Sequence, residues 1–363
     1  MHVLVVNAGS SSLKLRLLDD SDRVLVAQDL PSVEAGAMGE ELGVFLEGSP
    51  AVDAAGHRIV HGGSTFRQPV VLDEAVDESL EALAQLAPLH NPRGLAAVAA
   101  LRAVRPDLTQ VACFDTSFHT TMPAKATTYA VPRAWRQDWG LRRYGFHGLS
   151  HAWASRRAAF LMDRPTRTLR LVTAHLGAGA SLAAVAAGVS VDTTMGFTPM
   201  EGLIMATRSG SVDPGLILWV QRHGLSADDV ERVLEHESGL LGLSGVSSDL
   251  RRVIEAADAG GDDAQLAYDA YVYRIQTAAA AMAAAMGGID GLVFTGGAGE
   301  ASPRLRADTV AGLGFLGVRI EEDGSEDLRG DRIVSPSDAP AAVLVVHARE
   351  DLEIARHVRE LLR

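Results

Sequence analysis

Near its start the chain runs VLVVNAGSSSLKLRLLDD, and the residues in the middle of that run are suited to holding an anion. Asn7-Ala8-Gly9-Ser10-Ser11-Ser12 joins small residues to hydroxyls, and Lys14 follows close behind. A tight turn here gathers backbone N–H groups, hydroxyls and one ammonium at a loop tip. That chemistry suits a ligand with several charged oxygens, such as the phosphates of a nucleotide. The same residues would also serve as a plain serine-rich connection. A Walker-type phosphate loop is excluded, because its lysine precedes Ser or Thr, whereas Lys14 and Lys125, the chain's only lysines, precede Leu and Ala.

Further along, polar residues recur in dense runs with apolar flanks. HRIVHGG places Arg58 and His61 before a double glycine, and APLHNP puts His90 beside Asn-Pro. FDTSFH sets Asp115 at the end of a strand over Gln110–Phe114, and YGFHGLSH packs aromatics around His147. MGFTPMEGLIMATRSGSVDP carries Arg208 among glycine-rich turns, and SGLLGLSGVSSDLR ends in Asp249 and Arg251. Phosphoryl transfer needs this combination: cations for the migrating group, a metal ligand or two, and positioning groups. Singly, each run has a structural explanation. Histidines in glycine-rich turns serve as hydrogen-bonding struts, Arg208 as a surface charge, Asp249 as a helix cap. His147 and His151 have metal-ligand spacing but lack the HExxH helix of a zinc site. No GxSxG nucleophile elbow precedes a helix. Their accumulation in one chain is what favours chemistry.

The elements that must position these residues alternate. Val3–Val6 reads as a buried strand, and Leu13–Leu17 alternates like the strand that returns. The pattern repeats later: a strand over Leu169–Ala174, a glycine-rich turn at His175–Ser181, a returning strand, and a hairpin at Ala187-Gly188 leading to Val189–Asp192. This internal repeat suggests a duplicated domain with two phosphate-facing hairpins. A third segment has a strand over Gly291–Thr295, a cradling turn over Gly296–Gly299, and Ser302 capping a helix that opens with Pro303. Helices are expected over Glu74–Leu86, Asn91–Ala103, His151–Leu161, Ala227–His236 and Asp263–Met286, the last stopped by Gly287-Gly288. Alternating strands and helices mean an α/β architecture.

Length and charge set limits. A chain of 363 residues with 47% hydrophobic and 22% charged residues is globular and long enough for two domains. A net charge of −13 argues against nucleic acid or an anionic membrane as partner, so an anionic ligand must be held by local charge. The single cysteine, Cys113, excludes an internal disulfide. The Ala-rich stretch Thr277–Met286 is too short to span a membrane. With no signal-like start, a cytoplasmic location is expected.

Taken in order, NAGSSSLKL, HRIVHGG, APLHNP, FDTSFH, YGFHGLSH, the MGFTPMEGL–TRSG–DP run, SGLLGLSGVSSDLR and FTGGAGE resemble the acetate kinase family of the actin-like superfamily, from residue 1 to about 360. The resemblance implies two duplicated actin-like (RNase H-like) α/β domains with the active site in the cleft between them. The first would span 1–118 plus 353–363, and the second 119–352, with nucleotide binding and dimerisation in the second. It implies reversible transfer of the γ-phosphoryl of ATP to the carboxylate of acetate, giving acetyl phosphate and ADP, with Mg2+ as cofactor. It also implies a homodimer.

Carried over by residue, Asn7 and Glu350 stand on the magnesium side, and Ser10, Ser12 and Lys14 face the phosphates. Arg58 and Arg208 bind the carboxylate and stabilise the migrating phosphoryl, His147 donates a hydrogen bond to it, and Asp115 orients these groups or the metal. His90 supports the site, while Val60, Leu89, Phe146 and Pro199 line a small acyl pocket. The nucleotide segments match His175-Leu176-Gly177-Ala178-Gly179, Asp249-Leu250-Arg251 and Gly296-Gly297-Ala298-Gly299-Glu300. Two departures stand out. Ala178 replaces the family's Asn in the His-Leu-Gly-Asn-Gly turn, and the chain is shorter than typical members, mostly before HRIVHGG. Propionate or butyrate kinases are near alternatives, and an ATP-binding sensor on the same fold is a different class. An RNase H-type nuclease would need a carboxylate cluster and a basic groove.

Overall fold

A computed structural model describes residues 1–9, 12–31, 35–83, 91–321 and 330–363. Its described chain divides into two compact units: 1–120 with 146–153 and 349–363, and 121–145 with 154–348.

The first unit is built on one mixed sheet. Strands β1 (Val3–Ala8), β2 (Ser12–Leu18) and β3 (Val24–Pro31) form an antiparallel meander. Next, β4 (Ala54–Ile59) joins β1 in parallel, and β6 (Thr109–Phe114) joins β4 in parallel. The short β5 (Val70–Val71) lies antiparallel on β6, giving the order β3-β2-β1-β4-β6-β5. The burial pattern follows the residue types. Val3 to Val6 are covered on both faces, whereas β2 alternates, with Leu13, Leu15 and Leu17 inward and Lys14 exposed. One face packs Leu4, Val6 and the β2 leucines against Met38, Leu42 and Phe45 of one helix and Ala97 and Leu101 of another. The opposite face packs Val3 and Val5 against Ile354, Ala355 and Val358 of the helix Glu350–Leu361. Gly56 on β4 lets that helix come close: a Cβ there would lie 2.5 Å from Ile354 Cγ2.

The second unit repeats the plan. Strands β7 (Arg170–Leu176), β8 (Ala180–Ala186) and β9 (Val189–Thr193) form a meander. β10 (Gly291–Thr295) pairs in parallel with β7, and β12 (Ala342–Val345) with β10. The short β11 (Arg332–Ile333) lies antiparallel on β12. The order β11-β12-β10-β7-β8-β9 reproduces the first sheet strand for strand, so the repeat seen in the two hairpins extends through whole sheets. The helix Asp262–Met286 ends where Gly287 turns left-handed at φ 67°.

Three local expectations change. The segment Phe146–Trp153, which the expected second domain of 119–352 would include, groups with the first unit. Gly148 N–H donates to the Asp115 carbonyl at 2.9 Å, and Leu149 joins the core around Val3, Val5 and Cys113. The helix after it starts at Gly148 instead of His151, and Gly296–Ala301 is a short helix instead of a turn. The expected end of the helix from Glu74 lies partly outside the described residues, which show it over Glu74–Ala82. Among the described residues, no helix is long and apolar enough to cross a membrane.

Candidate active site

Open α/β sheets place their functional groups beyond the carboxyl ends of parallel strands. In the first unit those ends belong to β1, β4 and β6, and each carries a polar residue: Asn7, Arg58 and Asp115. Arg58 is the hub. Its Nε and NH2 hydrogen-bond Asp115, with NH2 2.5 Å from Oδ2, and its NH1 donates to Asn7 Oδ1 at 3.3 Å. Glu350, at the start of the C-terminal helix, has Oε2 3.7 Å from Arg58 Nε and accepts a hydrogen bond from Asn7 Nδ2 at 3.0 Å. Asp115 is fully buried. Burial works against the Arg58 charge, but Asp115 and then Glu350 more than offset it, so the guanidinium lies above its ordinary pKa. Burial pushes the Asp115 carboxyl upward against the pull of Arg58. The result is a fixed cation whose planar fork is aimed by an anchored carboxylate.

His147 sits beside this cluster in the chain's fold, next to the Gly148 that bonds Asp115. Its φ of 55° is left-handed, which a β-carbon disfavours, so the tertiary structure imposes this backbone. Gly148 has no room for a side chain: a Cβ would meet the Asp115 carbonyl oxygen at 2.1 Å. Phe146 is buried, packs edge-on against His61 with centroids 5.4 Å apart, and offers its carbonyl to His119 Nε2 at 2.9 Å. Val60 is buried one residue before His61. The His61 backbone is pinned by Asn91, whose side chain accepts from His61 N–H and donates to its carbonyl, both at 3.0 Å. Ser12 is half-buried and Lys14 exposed opposite Asn7 in the β1–β2 register. Ser10, Leu89 and His90 lie outside the described residues.

The second unit has its own set of strand ends. β7 runs into His175–Gly179, where Gly177 N–H donates to the Gly179 carbonyl and Ala178 is exposed. Beside it β10 runs into Gly296–Glu300, because His175 is the register partner of Thr295. Gly296 takes φ 79°, and a Cβ there would lie 2.9 Å from the Leu176 carbonyl oxygen. Gly297 has open space around its α-carbon. The side chain of Glu300 is already engaged: Oε1 accepts from Gly296 N–H at 2.8 Å and Ala348 N–H at 2.9 Å. It therefore ties the ends of β10 and β12 together. Buried Arg306, which the sequence reading missed, donates through NH1 to the Gly299 and Glu300 carbonyls, each at 2.7 Å. A carboxylate at the first amide and a guanidinium at the last carbonyls complement the dipole of this short helix. Asp249 caps the helix Leu250–Asp258, accepting from Arg251 N–H, and also pairs with the exposed Arg251 side chain at 2.7 Å. Arg208 and Pro199 come together directly, with Arg208 NH1 donating to the Pro199 carbonyl at 3.0 Å.

Two sheets of one strand order, each with polar and glycine-rich segments at the ends of its parallel strands, define a duplicated α/β protein. The family model described as the acetokinase family matches residues 37–356. A Deinococcus radiodurans protein named acetate kinase is 46% identical, over 98% of this chain and 97% of its own. The crystal structure of Porphyromonas gingivalis acetate kinase superposes with a TM-score of 0.91, at 37% identity over all of both chains. A propionate kinase structure from Francisella tularensis superposes at 0.88, with 32% identity over 98% of each chain. The chain belongs to the acetokinase family.

Proposed function

We propose that the chain is an acetate kinase, transferring the γ-phosphoryl of ATP to the carboxylate of acetate and yielding acetyl phosphate and ADP. The observation that carries this reading is the Asn7–Arg58–Asp115–Glu350 cluster at the strand ends of the first unit. A carboxylate is already an adequate nucleophile, so little general-base assistance is needed. The obstacle is bringing two anions together while charge spreads over the equatorial oxygens of the migrating group. Arg58, held charged and aimed by Asp115, and Arg208, held by the Pro199 carbonyl, supply planar cations for that purpose. His147 donates a hydrogen bond to the migrating phosphoryl. An acetate oxygen forms a bond to the γ-phosphorus as the bond from that phosphorus to the β–γ bridging oxygen breaks, releasing ADP. The segments at His175–Gly179, Asp249–Arg251 and Gly296–Glu300 bind the nucleotide, with Ser12 and Lys14 toward its phosphates.

The donor set also suits magnesium arriving with ATP. Asn7 and Glu350 offer hard oxygen donors, and Mg2+ takes few protein ligands and keeps its waters. Among the described residues, no group of three or more His, Cys, Asp and Glu is placed to hold a metal ion. When bound, magnesium would neutralise charge on the phosphate oxygens. Val60, Phe146 and Pro199, the residues that the family resemblance assigns to an acyl pocket, are apolar and each is buried within its own unit, which favours a short acyl group. One methylene is worth only about 1–3 kcal/mol in such a pocket, so propionate is expected as a weaker substrate. The same reading includes a homodimer in the cytoplasm; the helix Pro214–Arg222 exposes Leu216, Leu218 and Trp219, as a subunit contact would require.

Acyl-hydroxamate formation with magnesium-ATP tests the reading directly. Acetate should turn over faster than propionate and butyrate, and Arg208→Ala should lose roughly a hundred-fold or more. Nucleotide binding without hydroxamate from any acid would replace the kinase with an ATP-binding sensor.

A further inference from the structure

The segment Thr194–Gly210 contains no helix or strand, yet it carries both Pro199 and Arg208. Backbone without a ladder must find its partners elsewhere, and an arginine aimed from a loose loop would be a poor electrostatic catalyst. The structure shows what replaces the ladder. Arg143 NH1 donates to the Thr194 and Met195 carbonyls, both at 2.9 Å, and its NH2 reaches Glu201 Oε1 at 2.5 Å. The Gly196 carbonyl accepts from the N–H groups of Tyr144 and Gly145 at 3.0 and 3.2 Å. Tyr129 takes the Phe197 N–H on its hydroxyl oxygen at 2.9 Å and gives its own proton to Glu201 Oε2. The direction of that last bond is forced, because a carboxylate only accepts. Gly196 must be glycine: a Cβ would lie 1.7 Å from Glu201 Oε2 and 2.3 Å from the Tyr129 hydroxyl. The Arg143 guanidinium also lies over the Tyr129 ring, 5.6 Å from its centroid.

We infer that Glu201, fixed by Tyr129 and Arg143, is the positioning residue that holds the Thr194–Gly210 segment so that Arg208 is aimed for phosphoryl transfer. Glu201 lies two residues after Pro199, whose carbonyl accepts from Arg208 NH1, so the carboxylate anchors the backbone on which the guanidinium rests. The segment closes again beyond it, where Ser211 N–H donates to the Gly202 carbonyl and Gly202 N–H to Ser211 Oγ. Release of Glu201 therefore frees the stretch between two fixed points, and that stretch contains Pro199. Glu201 itself transfers nothing and acts only through Arg208. The inference rests on the role proposed above for Arg208.

The test uses the full chain, with Glu201→Gln, Tyr129→Phe, Arg208→Ala and the combination Glu201→Gln/Arg208→Ala, assayed for hydroxamate with magnesium-ATP. In Glu201→Gln the amide presents one N–H2 end to groups that donate. Kcat/KM for acetate should fall about 10- to 100-fold, the scale of a 1 Å misplacement of a catalytic group. The KM for ATP should stay within about two-fold and the Tm near that of the parent. Tyr129→Phe, which removes one oxygen, should show the same split at smaller size. In the Arg208→Ala background, Glu201→Gln should cost nothing further. An equal additional loss in that background, or ATP and acetate parameters moving together, would overturn the positioning role. So would full activity in both Glu201→Gln and Tyr129→Phe. Full activity in Arg208→Ala would instead remove the reading on which the inference rests, so the two failures are distinguishable.

Discussion

The pair Arg58–Asp115 makes opposite demands on stability and activity, and substitution separates them. Asp115 has no exposed surface and the Arg58 side chain is 16% exposed, so the pair is largely withdrawn from water. Removing one member leaves the other without its main partner, Glu350 at 3.7 Å being the weaker contact of Arg58, at a cost of about 3–5 kcal/mol for a buried pair. For a domain of this size, 1 kcal/mol moves Tm by about 2–4 °C, so Asp115→Ala and Arg58→Met should each lower the first transition by about 6–20 °C. Replacing both with apolar residues, as in Arg58→Met/Asp115→Leu, removes both charges of the pair and leaves Glu350 with its Asn7 hydrogen bond, and such paired replacements are close to neutral or stabilising. The double variant should therefore regain most of the stability, with a coupling of at least about 3 kcal/mol, while all three variants lose acyl-hydroxamate activity. Urea unfolding at pH 7 followed by tryptophan fluorescence measures the stabilities, and the hydroxamate assay the activity. If the double variant's loss equals the sum of the single losses, the two residues do not act as a pair and the reasoning fails.

Other consequences follow from the same geometry. Gly148→Ala would push a Cβ into the Asp115 carbonyl, so activity and stability should fall together by more than about 2 kcal/mol in a melt; an unperturbed melt would contradict that. Buried His57 and His119 are lowered to a pKa of about 4, mainly by burial. Among the described residues neither His57 ring nitrogen has a hydrogen-bond partner of good geometry, and neighbouring Gln110 offsets its burial only in part. Each ring is protonated near pH 6.5 when unfolded, so its stabilisation is complete above that pH. It is lost as pH falls toward 4, at about 1.4 kcal/mol per unit per histidine. His57→Gln should remove one histidine's share of that slope in urea melts between pH 6.5 and 4.5, and an unaltered slope would count against it. Ala178→Asn would restore an amide beside the nucleotide segments. One neutral hydrogen bond is worth about 0.5–1.5 kcal/mol, so the KM for ATP should drop about 2- to 10-fold, with an unchanged KM showing that the amide reaches nothing.

What the sequence made legible was local. The strand of Val3–Val6, the alternation of Leu13–Leu17, the capping Ser302 with Pro303, and the long helix ending at Gly287 are each written in a few neighbouring residues. Asn7 and Asp115 were legible at the ends of expected strands, whereas Arg58 was read only as a residue before a double glycine; parallel topology carries all three to one edge of the sheet. What escaped depends on distant partners. A glycine-rich stretch is a poor helix former, yet Gly296–Ala301 is helical because Glu300 and Arg306 satisfy its two ends. Glu300 lies in a segment expected to bind the nucleotide, and nothing local announced that its carboxylate would accept from the Gly296 and Ala348 amides. Tyr129 and Glu201 are 72 residues apart, and neither carries a local motif that announces the other. Phe146–Trp153 joins the first unit through a carbonyl and a core that no spacing rule encodes.

The C-terminal helix has a consequence for how the protein is made. Its residues Ile354, Ala355 and Val358 close the face of the first sheet formed by Val3, Val5 and Ala54, and Arg359 reaches Asp22 and the Asp19 carbonyl. A ribosome delivers that helix only after the whole of 121–348 has emerged. The first unit to leave the exit tunnel is thus the last to be completed, and its apolar face stays uncovered during synthesis of the second. A nascent chain stalled before residue 349 should expose that face to chaperones and proteases, even though every strand of the sheet beneath is already present.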